Sequence, residues 1–411
     1  MRFGIITPTH NAGRLDRLGV SIKRQTVADW EWIIAPNNAA TPADVLAAVG
    51  DDVAKLAAYR DDTDSVGELK RFACNSSTAD ILVEVDHDDE LTPDCLEYLA
   101  EAFDDDTVDF VFSNCCEIKD GQPFQYDSRW GWESRPFSWN GRGDHVEMVA
   151  FDPSPVSFSK IWFAPNHVRA WRRSFYDQVG GHDPTRDVLD DQDLLCRTFV
   201  AGTVRHIDRC LYVQHHHDDN TSTGEKNERI QRETLELHDR YVYPMAERWA
   251  RDSGLRLLDL CAAINGADGY ETVDLHGADV VTDLNERWPF DDGTVGVIRA
   301  HDALEHLRDP QHVMREAYRV LADNGWFLTQ TPSTDGRGAF QDPTHVSFWN
   351  SNSFWYYTRQ SQNRFIDCPV RFQANRIVDF FPTEFHQTHN ILYTRADLVK
   401  IAGRMPGGVL I

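Results

Sequence analysis

No stretch of about eighteen consecutive apolar residues occurs in the sequence, so no membrane-spanning helix is expected. Cations are scarce: 41 Lys and Arg stand against 66 Asp and Glu, a formal net charge of −25. No Lys/Arg-rich run relieves that deficit. Phosphate backbones and anionic lipid surfaces both reward clustered cations, so neither nucleic acid nor such a membrane surface is an expected partner. The eight cysteines form no CxxC pair and are scattered along a large chain. That spread fits reduced thiols in a cytoplasmic protein better than a disulfide framework. A secretory leader is not expected either, because MRFGIITPTHN reads as a strand that begins almost at Met1. Internal repeats and low-complexity tracts are missing. What is there is an ordinary globular composition, 41% apolar and 26% charged, in a chain long enough for two or three domains.

Short apolar runs at 2–7 and 31–35 flank a polar helical stretch, Leu15 to Thr26, which reads as a βαβ opening. Helices are predicted over Ala43–Ala58, Gly67–Ser77 and Thr92–Phe103, the last with Pro93 in its first turn. Strands are predicted over Ile81–Val85 and Asp109–Ser113. This alternation predicts an α/β layered domain with a mostly parallel sheet. From Phe124 to Tyr176 the periodicity fades, and Trp130, Trp132, Trp139, Trp162 and Trp171 suggest loops and short strands over the open end of the sheet. These aromatics suit either packing or stacking on sugar rings. Leu189–Ala201 reads as a helix stopped by Gly202, and Val204–Gln214 as a strand running into His215-His216-His217. Glu225–Arg251 is a long polar helix. A second α/β pattern follows, with strands at Arg256–Leu260, Glu271–Val273, Val295–Arg299 and Trp326–Gln330 and a helix at Pro310–Leu321. Beyond it the chain reads as aromatic and irregular. The expected organisation is a domain over 1–223, a helical linker over 224–254 and a second domain over 255–411.

The chemistry gathers at a strand end. Asp86, Asp88 and Asp89 place three carboxylates within four positions. Such a cluster either holds a cation or raises at least one pKa. Oxygen ligands of this kind favour Mg²⁺ or Mn²⁺. A solvated acidic turn capping the next helix satisfies the same residues.

Four segments then resemble the inverting glycosyltransferases of family 2: Thr7-Pro8-Thr9-His10-Asn11, Val85-Asp86-His87-Asp88-Asp89-Glu90-Leu91, Gly180-Gly181-His182-Asp183, and Asp190-Asp191-Gln192-Asp193-Leu194 followed by Arg197. The resemblance covers roughly residues 1–222 and implies a GT-A nucleotide-binding domain with a DxD motif. It implies that Thr7, Thr9 and Asn11 lie at the nucleotide, with Lys70 and Arg71 near the base or phosphates. Asp86, with His87 beside it, would contact the ribose or the metal's water shell. Asp88 would coordinate Mn²⁺ or Mg²⁺, His217 would reach the metal or diphosphate, and Asp191 would be the general base. Taken alone, Asp190, Asp191 and Asp193 also suit the start of a helix dipole, and the His triplet also suits a surface turn or part of a zinc site. Where the family commonly carries a pair of acids after the second strand, this chain has Ala35-Pro36-Asn37-Asn38. An amide both donates and accepts, so guanosine and thymidine diphosphate sugars stay open beside uridine.

Residues 256–335 resemble class I, S-adenosylmethionine-dependent methyltransferases. The matching segments are Trp288-Pro289-Phe290-Asp291-Asp292-Gly293, Ala303-Leu304-Glu305-His306-Leu307, and Glu316–Leu321 before Asn324-Gly325. The resemblance implies a Rossmann-like fold. The turn that should be Gly-rich reads Asp259-Leu260-Cys261-Ala262-Ala263-Ile264-Asn265-Gly266. Side chains there would crowd the cofactor's methionine portion. Asp259, Asp274 and Asp283 stand as remnants of a cofactor site, and S-adenosylmethionine is expected to bind weakly or not at all. Such a domain would serve as a scaffold, a homo-oligomer contact or an acceptor platform. The expected activity is transfer of a sugar from a nucleoside-diphosphate donor to a hydroxyl of a glycan, protein or lipid. The alternatives are a bifunctional glycosyltransferase and methyltransferase, or a non-catalytic carbohydrate-binding or assembly protein.

Overall fold

The computed structural model describes residues 1–50, 53, 55–57, 65–217 and 225–400. The chain divides into two compact units, Met1–Val242 and Tyr243–Ile411. No helix among the described residues is long and apolar enough to cross a membrane.

In the first unit the chain runs β1 (Phe3–Thr9), α1 (Leu15–Lys23), β2 (Trp30–Pro36), α2 (Pro42–Val49), β3 (Lys55–Leu56), α3 (Val66–Ser76), β4 (Ile81–Glu84), β5 (Glu90–Leu91) and α4 (Cys95–Phe103). It continues with β6 (Phe110–Lys119), β7 (Gln122–Phe124), β8 (Glu133–Trp139), β9 (Arg142–Val149), α5 (Pro155–Ser159), β10 (Arg169–Arg172), α6 (Arg173–Gln178), α7 (Asp190–Ala201), β11 (Val204–His216) and α8 (Glu225–Asp252), which crosses the division between the units. The strands lie in the order β3-β2-β1-β4-β10-β6-β11-β5, with β7 and β9 also on β6 and β8 on β9. Strands β1, β2, β3 and β4 are parallel, whereas β10 runs against both of its neighbours.

Two facts open a crevice at the carboxyl end of β1. Strand order reverses between β1 and β4, the switch point at which open α/β sheets bind ligands. Pairing of β1 with β4 also stops at Ile6↔Glu84, while pairing with β2 continues to Thr9. Pro8, which has no N–H to donate, sits where the β4 neighbour is already gone. Beneath the crevice, the apolar face of α1 (Leu15, Leu18 and Ile22) packs with Ile5, Trp32, Val83 and Leu96, all essentially buried.

Several local expectations change. The helix expected over Ala43–Ala58 ends at Val49, because Gly50 leaves the helix at φ 88°; Asp51, Asp52, Ala54 and Ala58 lie outside the described residues. The helix expected from Thr92 starts at Cys95, so the acidic turn does not cap it. The tryptophan-rich segment contains the β8–β9 hairpin, joined to β6 through Cys115↔Met148. The His triplet is not a surface turn: His215 and His216 complete β11, paired to Ile118 and Lys119.

The second unit holds β12 (Arg256–Leu260), β13 (Glu271–Asp274), β14 (Val280–Val281), β15 (Val295–His301), a 3-10 turn at Leu304–His306, α9 (Pro310–Val320) and β16 (Leu321–Pro332). Then come α10 (Gly338–Gln341), α11 (Ser351–Thr358), α12 (Gln360–Asn363), β17 (Phe372–Phe380), α13 (Glu384–Thr388) and β18 (Tyr393–Lys400). The sheet order is β14-β13-β12-β15-β16-β18-β17, parallel up to β16 and antiparallel after it. The tail expected to be irregular therefore supplies the antiparallel edge. Its strands alternate poorly because β18 is buried along most of its length.

Candidate active site

The acidic turn follows β4 into the crevice. Thr7 and Thr9 are buried at the end of β1; Thr7 Oγ1 accepts from Trp32 Nε1 at 3.0 Å. Thr9 Oγ1 accepts from the Asn11 N–H, and the Thr9 carbonyl accepts from the Asn37 N–H at 2.9 Å. Asn11 in turn accepts from Gly13 N–H and starts the next turn. The β1 and β2 ends are thus tied to each other at the place where the nucleotide was expected.

Asp86, Asp88 and Asp89 have separate fates. Asp86 is the exposed one; its side chain lies 4.0 Å from His167 Nδ1. Asp89 is buried, accepting from Tyr212 Oη at 2.7 Å and from the His215 N–H at 2.8 Å. Burial, then the charges of Asp86 and Asp88, push its carboxyl well above the usual range. Asp88 meets the ring of His217, and Arg14 Nη1 lies 3.4 Å from the same carboxylate. Burial alone would raise Asp88, yet the neighbouring imidazoles of His87 and His217 outweigh it and lower its pKa. His87 is buried, with its ring edge-on to His10 and Nε2 without a hydrogen-bond partner among the described residues.

A second charged layer lies behind this turn. Lys70, expected at the nucleotide, is instead buried, with its ammonium on Glu84 and 3.4 Å from Asp190. Burial opposes the charge on Lys70, but Asp190 and Glu84 outweigh it and raise its pKa well above the usual value. Glu84 is held well below its ordinary range against its own burial, chiefly by Lys70. Arg169, from β10, lies 3.9 Å from Glu84 and donates to Asp191 Oδ2 at 2.6 Å. Asp191 would be raised by burial, but Arg169 and Lys70 bring it down to about 2. Asp190 meets His182 at 3.0 Å, and Asp193 pairs with Arg197 at 2.8 Å. Among the described residues, Arg71 Nη1 donates to the His182 carbonyl, at 3.4 Å.

Backbone geometry sets α7 in place. Gly181 sits at φ 62°, and a Cβ there would come within 2.6 Å of the Tyr176 ring, so only glycine lets the chain turn into His182. Leu189, at φ 57°, precedes Asp190 directly. The first turn of α7 therefore enters the charged layer with three acids: Asp190 beside Lys70 and His182, Asp191 on Arg169 and Asp193 on Arg197.

Two stretches thus converge through side chains. Asp86 at the acidic turn and Asp191 at the start of α7 are linked by His167, Glu84 and Arg169 in succession. Sequence reasoning named the two ends and missed all three members between them. Glu84 was visible as a carboxylate inside an apolar strand, Ile81-Leu82-Val83-Glu84-Val85; His167 and Arg169 carried no such mark.

Residues 4–177 match the model of glycosyl transferase family 2. The first unit carries a glycosyl transferase family 2 domain. A methyltransferase domain model matches residues 240–398. The GT-A-type sheet of the family 2 domain and the methyltransferase-type second unit agree with the fold class expected from sequence. The chain matches none of the curated proteins searched. Among solved structures, S. aureus TarS 1-349 is similar at 12% identity over 65% of this chain and 76% of that chain, with a TM-score of 0.43. TarS 1-349 in complex with UDP-GlcNAc is similar at 14% identity over 62% and 73%, with a TM-score of 0.45.

A cavity of about 480 Å³ opens in the family 2 domain beside Arg17, Glu90, Trp139, His145, His215 and His217. His217 faces both this cavity and Asp88, and Trp139 brings one aromatic of the tryptophan-rich segment to it. The others divide: Trp171 is fully buried, Trp132 half-buried, and Trp130 and Trp162 exposed.

In the methyltransferase-type unit the three carboxylate remnants are turned to internal partners. Asp259 is fully buried, pairs with Arg299 at 2.6 Å and accepts from the Ala267 N–H. Asp274 accepts from the Ala263 and Leu275 N–H groups, and Asp283 accepts from both nitrogens of Asn285. Cys261 stands at φ 55° where a glycine was expected.

Proposed function

We propose that the family 2 domain transfers a sugar from a nucleoside-diphosphate donor to an acceptor hydroxyl, with inversion and with the aid of Mn²⁺ or Mg²⁺. The single observation that carries this reading is that the acidic turn and the start of α7 border one buried cluster around Glu84. Inversion needs a base on one face of the anomeric carbon and a held leaving group on the other. The cluster brings Asp86 of the acidic turn and Asp191 to one place, with His167 4.0 Å from Asp86 and Arg169 2.6 Å from Asp191.

The acidic turn supplies an oxygen from Asp88 and an imidazole from His217, a donor pair suited to a divalent ion whose remaining positions a diphosphate fills. Arg14 Nη1, 3.4 Å from Asp88 and 3.0 Å from His217 Nδ1, already places a positive charge at this pair, the position the ion would take. When bound, such an ion neutralises charge on the departing diphosphate. Asn11 and Asn37 border the β1–β2 end on which the base and ribose would rest, with the buried Thr7 and Thr9 holding that end in place, and Asp86 would face the ribose. Asp191 stays ionised, with Oδ2 on Arg169 and Oδ1 accepting from the Gln192 N–H. Each oxygen keeps a further lone pair with which to take the acceptor's proton. A carboxylate of such low pKa receives that proton only once bond formation has made the hydroxyl acidic. Lys70 acts at one remove, by holding Glu84 and Asp190. The cavity beside Trp139 offers an aromatic wall and polar groups, the lining a sugar requires.

For the second unit we propose weak or absent binding of S-adenosylmethionine, supported by the occupied carboxylates and the Cys261 turn. Thermal shift of the full chain against a panel of nucleoside diphosphates and their sugars, with and without Mn²⁺, tests the main reading. A metal-dependent rise with one base supports it; no rise with any base sinks it.

A further inference from the structure

The methyltransferase-type unit contains a group of side chains that the sugar-transfer reading does not use. Glu305 and His306 stand in the 3-10 turn after β15, and His345 in the loop between α10 and α11. One ligand atom from each lies within 4.8 Å of the others, the one such three-residue group among the described residues. We propose that Glu305, His306 and His345 bind a divalent transition-metal ion of the zinc type at the carboxyl edge of the second sheet.

Four observations carry the assignment. Glu305 is only 2% exposed; Oε2 accepts from Thr331 Oγ1 at 2.9 Å, whereas Oε1 has no hydrogen-bond partner among the described residues. A buried carboxylate oxygen left this way is costly unless a cation completes it. Each imidazole is oriented by a hydrogen bond from one of its ring nitrogens. His345 Nδ1 lies 3.0 Å from the Ala339 carbonyl, and His306 Nδ1 lies 3.3 Å from that of Thr344. A carbonyl only accepts, and the Thr344 hydroxyl, also 3.3 Å from His306 Nδ1, gives its proton to Asp342, so the proton on Nδ1 of each ring leaves the other nitrogen its lone pair. A second hydrogen bond of this kind is the usual orienting partner of a metal-bound histidine.

The framework is also built in advance. The Glu305 carbonyl accepts from the Val346 N–H at 2.8 Å and the Ser347 N–H at 3.1 Å, which fastens the His345 loop onto the Glu305 turn. Asp302 and Asp342 add negative charge around Glu305 and favour a cation further. An ion about 2.1 Å from each ligand draws the three atoms to roughly 3.4 Å apart. That movement falls on the two histidine rings, which are only partly buried. Two imidazoles and one carboxylate favour a first-row transition ion over Mg²⁺ or Ca²⁺, and three protein ligands leave a coordination position open for an oxygen ligand. The site lies at the β12/β15 switch point of the second sheet, where a small molecule is expected to bind.

The test uses the full chain, stripped with a chelator and dialysed against Zn²⁺ or Co²⁺, with metal content measured directly. The His306→Ala/His345→Ala variant is expected to lose one equivalent of zinc. The Asp88→Asn/His217→Ala variant, altered only in the family 2 domain, is expected to retain that equivalent. Cobalt should give a visible ligand-field band that follows the same pattern. Glu305→Gln preserves the buried shape and should weaken zinc binding at least tenfold. Equal zinc content and affinity in all four proteins, or a wild type that keeps no zinc, overturns the site. Should the double histidine variant fail to fold by circular dichroism, the Glu305→Gln affinity decides alone.

Discussion

Arg169 Nη1 lies 2.6 Å from Asp191 Oδ2, and against burial this contact, with the charge of Lys70, brings the pKa of the proposed catalytic base down to about 2. A base near the working pH is the usual optimum, so the pairing gives up basicity for a fixed orientation and permanent ionisation. Asp191→Asn keeps the shape and removes the proton acceptor. Transfer should fall by about 10²–10⁴-fold while donor affinity changes little. Sugar transfer that survives in this variant, measured alongside nucleotide binding, would place the base elsewhere.

Arg169→Lys tests the orienting role. The ammonium keeps the charge but cannot hold Asp191 while also donating to the Pro165 carbonyl, as Arg169 Nε does at 2.7 Å. The apparent pKa of the acidic limb of kcat/KM should rise in this variant, because Asp191 loses part of its stabilisation as an anion. An unmoved acidic limb would show that Asp191 does not control it.

Lys70 gives a stability prediction that separates it from a nucleotide contact. Lys70→Met strands Glu84 and Asp190 in the interior, and removing one partner of a buried pair costs about 3–5 kcal/mol. Urea unfolding should show that loss with no donor present. A variant as stable as wild type but weaker in donor binding would return Lys70 to the nucleotide.

The same network sets an acid dependence. Glu84 and Asp191 have folded pKa values below their unfolded ones, so the native state binds fewer protons and its advantage is fully present above the unfolded values of 4.5 and 3.8. That advantage fades as pH falls through this range toward about 2, the folded value of Asp191. Lys70 is shifted upward, so its contribution is complete below 10.5 and fades only above it. The stability difference between wild type and Lys70→Met in urea unfolding should therefore be constant through neutrality and shrink on the acid side.

In the second unit, isothermal titration of the full chain with S-adenosylmethionine should show no micromolar binding. Cys261→Gly relieves a left-handed residue at a cost saving of about 1–2 kcal/mol and clears the turn, so any measurable affinity should rise in that variant. Micromolar affinity in the wild type would overturn the proposal of a weak site.

The sequence alone determined the α/β alternation in both halves and the position of the acidic turn. Apolar periodicity is a local property, and carboxylates crowded at a strand end are visible without coordinates. It also carried the substitution of Cys261 for a glycine. Tertiary structure decided the partners. Lys70 reads as a free cation until α3 and β4 bury it against Glu84, and the His triplet reads as a turn until β6 pairs with β11 and aligns His217 with Asp88. The antiparallel edge was illegible because β18 is buried along most of its length and β17 is mostly half-buried, so neither shows a clean alternation. Glu305 and His345 meet only because the loop between α10 and α11 folds back onto the turn after β15. Which charges neutralise one another depends on strand order and burial, and neither is a property of neighbouring residues.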